Sequence, residues 1–238
     1  MPLASRSRNK KIMNKTKQGA RALSQVITLT LILLLGACAA PPEKVVDIDG
    51  NNYTAVHAGS MVWTSRNLNV AHFRNGDPIP EVQDPAAWAT LATPAWCYNE
   101  NKPENGKLYG KLYNWYAVND PRGLAPEGWH VATDEEWSAL GDLLGGETDA
   151  GGALKALEHW NNQTDKTQTA IGFDALPAGA RRDTDGHFMP PGEYSRLWTA
   201  TEASEKSAWS RSLGYFDAAL RKGKASKNTG FSVRCVKN

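Results

Sequence analysis

Three cysteines, five histidines and a C-terminal run of bases are the side chains of this 238-residue chain that could do chemistry. A thiol can be acylated, oxidised or bound to a soft metal, and histidine is a common ligand and proton carrier near neutral pH. His57, His72, His130, His159 and His187 are scattered, with no pair at metal-ligand spacing. They read as surface or hydrogen-bonded histidines, and no metal or cofactor is expected. No Gly-x-Ser-x-Gly elbow, phosphate loop or zinc motif occurs. Acids are plentiful, but spacing alone picks out no glycosidase pair.

Cys38 has the clearest assignment. Seven bases and no acid fall in residues 1–37, and the apolar run Val26–Leu35 follows them. That run is too short to span a bilayer, which needs roughly 20 apolar residues. It suits the apolar region of a signal peptide, and it ends in Leu35-Gly36-Ala37-Cys38, a lipobox-like sequence. The expected product is a Cys38 thiol carrying a diacylglyceryl group. An ordinary secretory signal is the alternative. Ala39, rather than Asp, after the cysteine suits a lipoprotein sent on to the outer membrane. Met13 gives a signal of more usual length than Met1 and is the expected start.

Cys97 and Cys235 then remain, an even pair in an oxidising compartment. A disulfide between them is expected, contributing at most about 5 kcal/mol in the chain-entropy model. Two buried thiols are the alternative.

The bases do not argue for nucleic acid. The chain carries 27 bases and 25 acids, and without its basic head 20 bases face the same 25 acids. Arg221, Lys222, Lys224 and Lys227 nevertheless form a hairpin with no acid between them. Either this is a solvated loop, or it meets an acidic glycan or lipid headgroup. Arg211, in the strand before it, is expected at the core margin with Trp209, Leu213 and Tyr215. Ala208, Ser210, Ser212 and Gly214 alternate to the other face. Arg211, Arg221, Lys222, Lys224 and Lys227 are therefore the candidate ligand-binding set.

Several elements must position these residues. Residues 1–37 form the signal, 38–46 a lipidated tether with Pro41-Pro42, and 47–238 one domain. Asp49-Gly50-Asn51 predicts a hairpin between Val45–Ile48 and Tyr53–His57. A calcium loop counted from Asp47 would need Glu at its twelfth position, where Ala58 stands. Met61–Leu68 is a third strand, and residues 74–106 an irregular excursion with Trp96-Cys97-Tyr98 as a strand inside it. Leu108, Leu112, Trp115 and Tyr116 share one helical face. Trp129-His130-Val131 reads as a strand and Thr133–Leu144 as a helix opened by a Thr133/Glu136 capping box. Gly152–Leu157 is a weaker helical piece. Strands are expected over Ala175–Arg181, Arg196–Thr201, Ala208–Tyr215, Ala218–Lys222 and Gly230–Val236. All 21 aromatic residues lie beyond residue 52, so the core leans on rings.

GKLYNWYAVNDPRG (110–123), GLAPEGWHVATDEEWSAL (123–140) and the terminal GFSVRCVKN (230–238) carry a resemblance. They are similar to the Fibrobacter succinogenes major paralogous domain, the FISUMP family, over about residues 47–238. That family in turn resembles the C-type-lectin-like fold of formylglycine-generating enzymes. The resemblance implies an α+β domain, with two helices on a twisted, mostly antiparallel sheet, long loops in the second half, and first and last strands close together. It also implies that ligands meet the loops and sheet face of the second half. The enzymes hold copper with a close pair of C-terminal cysteines, and only Cys235 stands in that part here, so oxidase activity does not carry over. Relatives often place tyrosines where Ser210 and Ser212 stand, which weakens the case for aromatic sugar binding. Glu202, in Trp198-Thr199-Ala200-Thr201-Glu202, resembles a family strand end and reads as a structural hydrogen-bonding residue. The expectation is a lipoprotein of the outer membrane, not an enzyme, that binds a glycan or an envelope protein. The alternative is an envelope enzyme of unknown chemistry.

Overall fold

The computed structural model describes residues 44–161 and 171–238. Cys38, the signal segment 1–37 and the tether as far as residue 43 lie outside the described residues.

The expected N-terminal hairpin forms from β1 (Lys44–Val46) and β2 (Asn52–Ala58), paired antiparallel. Asp47 closes its turn: Oδ1 accepts from the amides of Asp49 at 3.0 Å and Asn51 at 2.9 Å. The Tyr53 hydroxyl donates to Oδ2 at 2.6 Å. The carboxylate is thus engaged by local donors, the usual role of Asp in a turn. The third strand, β3 (Met61–Thr64), is shorter than expected, because the chain leaves the ladder at Ser65 and the Leu68 amide donates to the Val233 carbonyl.

The excursion at 74–106 holds more order than its prolines suggested. α1 (Pro85–Ala89) is capped by Asp84 Oδ1 at 2.7 Å from the Ala87 amide. β4 (Trp96–Cys97) and α2 (Pro103–Tyr109) follow. Both helices open on proline, whose missing N–H has no partner to lose in the first turn.

The continuous helix face through Leu108 and Tyr116 does not form. Gly110 ends α2 at φ +76°, and a Cβ there would lie 2.6 Å from the Leu68 carbonyl oxygen. The chain instead runs into β5 (Leu112–Tyr113) and the one-turn α3 (Trp115–Val118), capped by Asn114.

β6 (Trp129–Val131) and α4 (Asp134–Leu143) stand where they were read. The Glu136 amide donates to Thr133 Oγ1 at 3.2 Å, and the Thr133 amide to Glu136 Oε2 at 2.8 Å, which completes the capping box. α5 (Ala150–Leu154) follows. The second half is β, though its borders shift. β7 (Ala180–Arg181) and β8 (Phe188–Met189) form a small ladder. β9 (Tyr194–Ser204), β10 (Ser207–Gly214) and β11 (Arg221–Ser226) form a three-stranded sheet with β10 at its centre. β12 (Cys235–Lys237) completes a five-stranded sheet of order β1-β2-β3-β12-β6. Every pairing between these strands is antiparallel. The architecture is α+β with mostly antiparallel sheets, and the first and last strands share one sheet.

Aromatic rings fill the space between α4 and that sheet. Trp137 of α4 meets Trp63 of β3 edge-on at 4.8 Å between centroids, and Phe173 lies 5.7 Å from each. Edge-to-face pairs of this kind add to the burial itself.

The structure corrects the expected Cys97–Cys235 disulfide: both are buried free thiols. Cys97 packs with Trp88, Ala95 and Leu112, whereas Cys235 lies on β12 among residues of the main cluster. The two strands belong to different sheets, so the side chains are committed to separate cores. Burial pushes the Cys97 thiol up to about 12 and raises Cys235 as well. At pH 8 almost none of either is thiolate, the reactive form. Neither thiol should label in the native chain at pH 8, and both should label on unfolding. A Cys97–Cys235 linked peptide in non-reduced mapping would contradict this.

Candidate functional site

Strand alternation on β10 gives the three-stranded sheet two unlike faces, and the candidate bases divide between them. Register places Lys222 beside Arg211 and Lys224 beside Trp209, while Arg221 pairs with Ser212 and Gly223 with Ser210.

The large-residue face turns toward the start of α4. Arg211 is 0% exposed. Its Nε and Nη2 donate to Asp134 Oδ1 at 3.0 and 2.7 Å. Its Nη1 donates to Glu147 Oε1 and its Nη2 to Ser138 Oγ, both at 2.7 Å. Lys222 Nζ reaches the other Asp134 oxygen at 2.6 Å and sits 4.0 Å above the Trp209 ring. Arg211 is therefore a buried structural cation, not a residue at the margin that faces a ligand.

The other bases are also engaged. Arg221 is paired with Asp217, which that hydrogen bond holds below the usual carboxylate range. Lys227 is buried, bonds Glu202 and lies 4.7 Å over Trp115. Glu202 thus takes the structural role expected of it. Only Lys224 of the set has no acid partner among the described residues, and its Nζ rests 4.7 Å over the Trp209 ring. The hairpin looks unneutralised in sequence because Asp134, Glu147 and Glu202 come from elsewhere in the chain and Asp217 stands just ahead of it, four residues before Arg221.

Charge reversal therefore has unequal consequences. Lys224→Glu should change stability by no more than about 0.5 kcal/mol. Lys222→Glu sets a second carboxylate against Asp134 and should cost about 1–3 kcal/mol. Urea unfolding of the two variants checks the contrast.

The small-residue face is where an opening lies. Here Tyr194, Arg196 and Trp198 of β9 stand across from Gly214, Ser212 and Ser210 of β10. At the margin of this face is a cavity of about 320 Å³, bordered by Arg182, Arg196, Ser226, Thr229 and Phe231. Arg182 is paired with Asp185 at 2.6 Å. Arg196 is half-buried, and its guanidinium carbon lies 5.1 Å from the Tyr194 ring and 6.0 Å from the Phe231 ring. Burial pulls its pKa down, yet an arginine keeps its proton at neutral pH. No carboxylate or carbonyl of the described residues accepts from its guanidinium, and its Nε is buried without a partner. Lys224 also borders the cavity, but its ammonium lies on the other face of the sheet, over Trp209.

The sequence reading does not single out Arg196. A signal was present, since alternation along β9 sets Tyr194, Arg196 and Trp198 on one side, opposite a row of small residues.

The histidines are tied into local structure where they make contacts. His130 Nε2 lies 2.8 Å from Glu136 Oε1 and Nδ1 2.7 Å from Asn238 Oδ1, so both ring nitrogens are occupied. His72 pairs with Asp49 at 2.6 Å. Among the described residues no three His, Cys, Asp or Glu side chains come together as a metal-holding group, and no helix is long and apolar enough to cross a membrane.

Among known families, the model of the Fibrobacter succinogenes major domain matches residues 56–237. No curated protein and no solved structure matches the chain.

Proposed function

We propose that this chain, which belongs to the Fibrobacter succinogenes major domain family, is an outer-membrane lipoprotein that binds a ligand and catalyses nothing. The observation that carries the binding reading is the cavity on the small-residue face, where a half-buried guanidinium without a hydrogen-bond acceptor among the described residues stands beside two aromatic rings. Such a group is suited to holding an anion rather than to moving protons, because arginine does not titrate in the working range. The copper chemistry of formylglycine-generating enzymes needs two thiols close together, and Cys97 and Cys235 sit in different core clusters. Kinship with the C-type-lectin-like fold belongs to the same proposal. Its support is the sheet order, which sets β12 between β3 and β6 and joins the two ends of the domain.

Anchorage rests on the sequence around Cys38: a basic head, an apolar run and Leu35-Gly36-Ala37-Cys38. Each buried CH₂ of an acyl chain contributes about 0.8 kcal/mol, and more than one chain makes the attachment stable. Cys38→Ala should move the protein from the membrane fraction to the soluble fraction. A variant that still sediments with membranes after a salt wash would overturn the lipid anchor. Binding is tested by incubating the full chain with envelope glycans and measuring retention alongside turnover. Retention without conversion supports the reading, and conversion of a glycan overturns it.

A further inference from the structure

The geometry points to the Arg196 cavity as a site for the carboxylate of a small acidic sugar, with Arg196 as its recognition residue. This rests on the binding-module reading and names the ligand class that the module takes.

Charge selects the ligand's sign and number. Of the arginines at the cavity, Arg182 is neutralised by Asp185, and Arg181 gives its donors to the carbonyls of Gly186, Val82 and Gln83. Arg196 is left with no acceptor among the described residues. One open guanidinium matches one carboxylate, which it can hold through two parallel hydrogen bonds. A phosphate dianion would call for a second free cation, and Lys224 directs its ammonium to the opposite face of the sheet.

Shape and wall chemistry add the sugar. The cavity, about 320 Å³, stands at the small end of the usual ligand-site range of roughly 300–1,000 Å³. That is room for about one ring. Thr229 and Asp183 are among its lining residues and carry groups that can pair with ring hydroxyls, while Phe231 supplies an apolar wall. The rings of Tyr194 and Phe231 confine the Arg196 head before any ligand arrives. A fork held in place loses less freedom on binding than a free surface arginine.

The test is calorimetric titration of the full chain in detergent with galacturonate, its methyl ester and glucose. Galacturonate should bind. The ester and glucose, which lack the carboxylate, should bind at least about tenfold more weakly, the value of a charge-assisted hydrogen bond. Arg196→Gln should lower galacturonate affinity by at least about the same factor and leave the ester unchanged. If Arg196→Gln does not fold, Arg196→Lys replaces it. That variant keeps the charge and loses the fork, so galacturonate should bind more weakly than to the natural chain while remaining sensitive to salt.

Equal affinity of the natural chain and Arg196→Gln for galacturonate would overturn the site. So would inorganic sulfate competing as well as galacturonate, which would leave an anion site with no sugar recognition. A chain that binds a neutral envelope glycan but no galacturonate would overturn this assignment while the binding-module reading stands. A chain that converts any of these sugars would bring down the module reading itself.

Discussion

Arg211→Ala should cost the fold about 3–5 kcal/mol, the usual penalty for removing one partner of a buried ion pair. Asp134 is the reason. Its carboxylate sits at the first position of α4, is itself buried, and takes two donors from Arg211 and one from Lys222. Arg211 also donates to the Asp134 carbonyl and to Ser138 Oγ, and its Nη1 reaches Glu147. One guanidinium thus ties the first turns of α4 and the segment before α5 to the middle of β10. In alanine's place Asp134 keeps only Lys222, whose side chain is 36% exposed and therefore partly screened. The expected fall in Tm is roughly 6–20 °C for a domain of this size. Asp134→Asn combined with Arg211→Met removes both charges and should recover part of the loss, since a buried pair can often be replaced by neutral groups of similar volume. Thermal unfolding of the single and double variants decides the matter. A Tm for Arg211→Ala within a degree or two of the natural chain would return Arg211 to the margin of the core.

What could be read from sequence was local. The capping box of α4 needs only Thr133 and Glu136, three residues apart, and it stands as expected. The turn at Asp49-Gly50 likewise follows from residues within reach of Asp47. The apolar period through Leu108 and Tyr116 failed for a reason of detail: one glycine at positive φ divides it, and the divided pieces become a helix, a strand and a single turn. Long-range pairing was not legible. Asp134 finds its two cations 77 and 88 residues later. A charge run in sequence therefore says nothing about which charges remain free once the sheet has formed. Arg196 is the converse case. It shows no motif, and it acquires meaning only when β10 sets small residues opposite and leaves it without an acid.

Arg181→Met should be as damaging as the loss of Arg211, although no carboxylate is involved. Arg181 is 0% exposed, and its head lies 4.5 Å from the Trp88 ring and 4.8 Å from the Phe188 ring. Its donors go to three carbonyls, those of Gly186, Val82 and Gln83. Methionine keeps much of the apolar stem and gives none of them a donor. Leaving a buried acceptor unsatisfied costs about 1–3 kcal/mol; the Gly186 carbonyl is buried and those of Val82 and Gln83 are partly so, which together imply a loss of about 3 kcal/mol. The backbone at this position also exchanges hydrogen bonds with Gly230, 2.9 Å one way and 2.8 Å the other, which fixes the wall behind the Arg196 cavity. Stability and binding should accordingly fall together in Arg181→Met, whereas Arg196→Gln should lose binding alone. Cys97 offers an independent reading of the same cluster. Burial raises its thiol to about 12, and the positive charge of Arg181 opposes that rise. Removing the charge moves the thiol further from reaction at neutral pH. A Cys97 that stays unlabelled in native Arg181→Met would mean a wall still closed, with only its electrostatics changed. Faster labelling would mean that the cluster of Trp88, Leu112 and Phe188 has opened, which is the outcome expected when three carbonyls lose their donor at once.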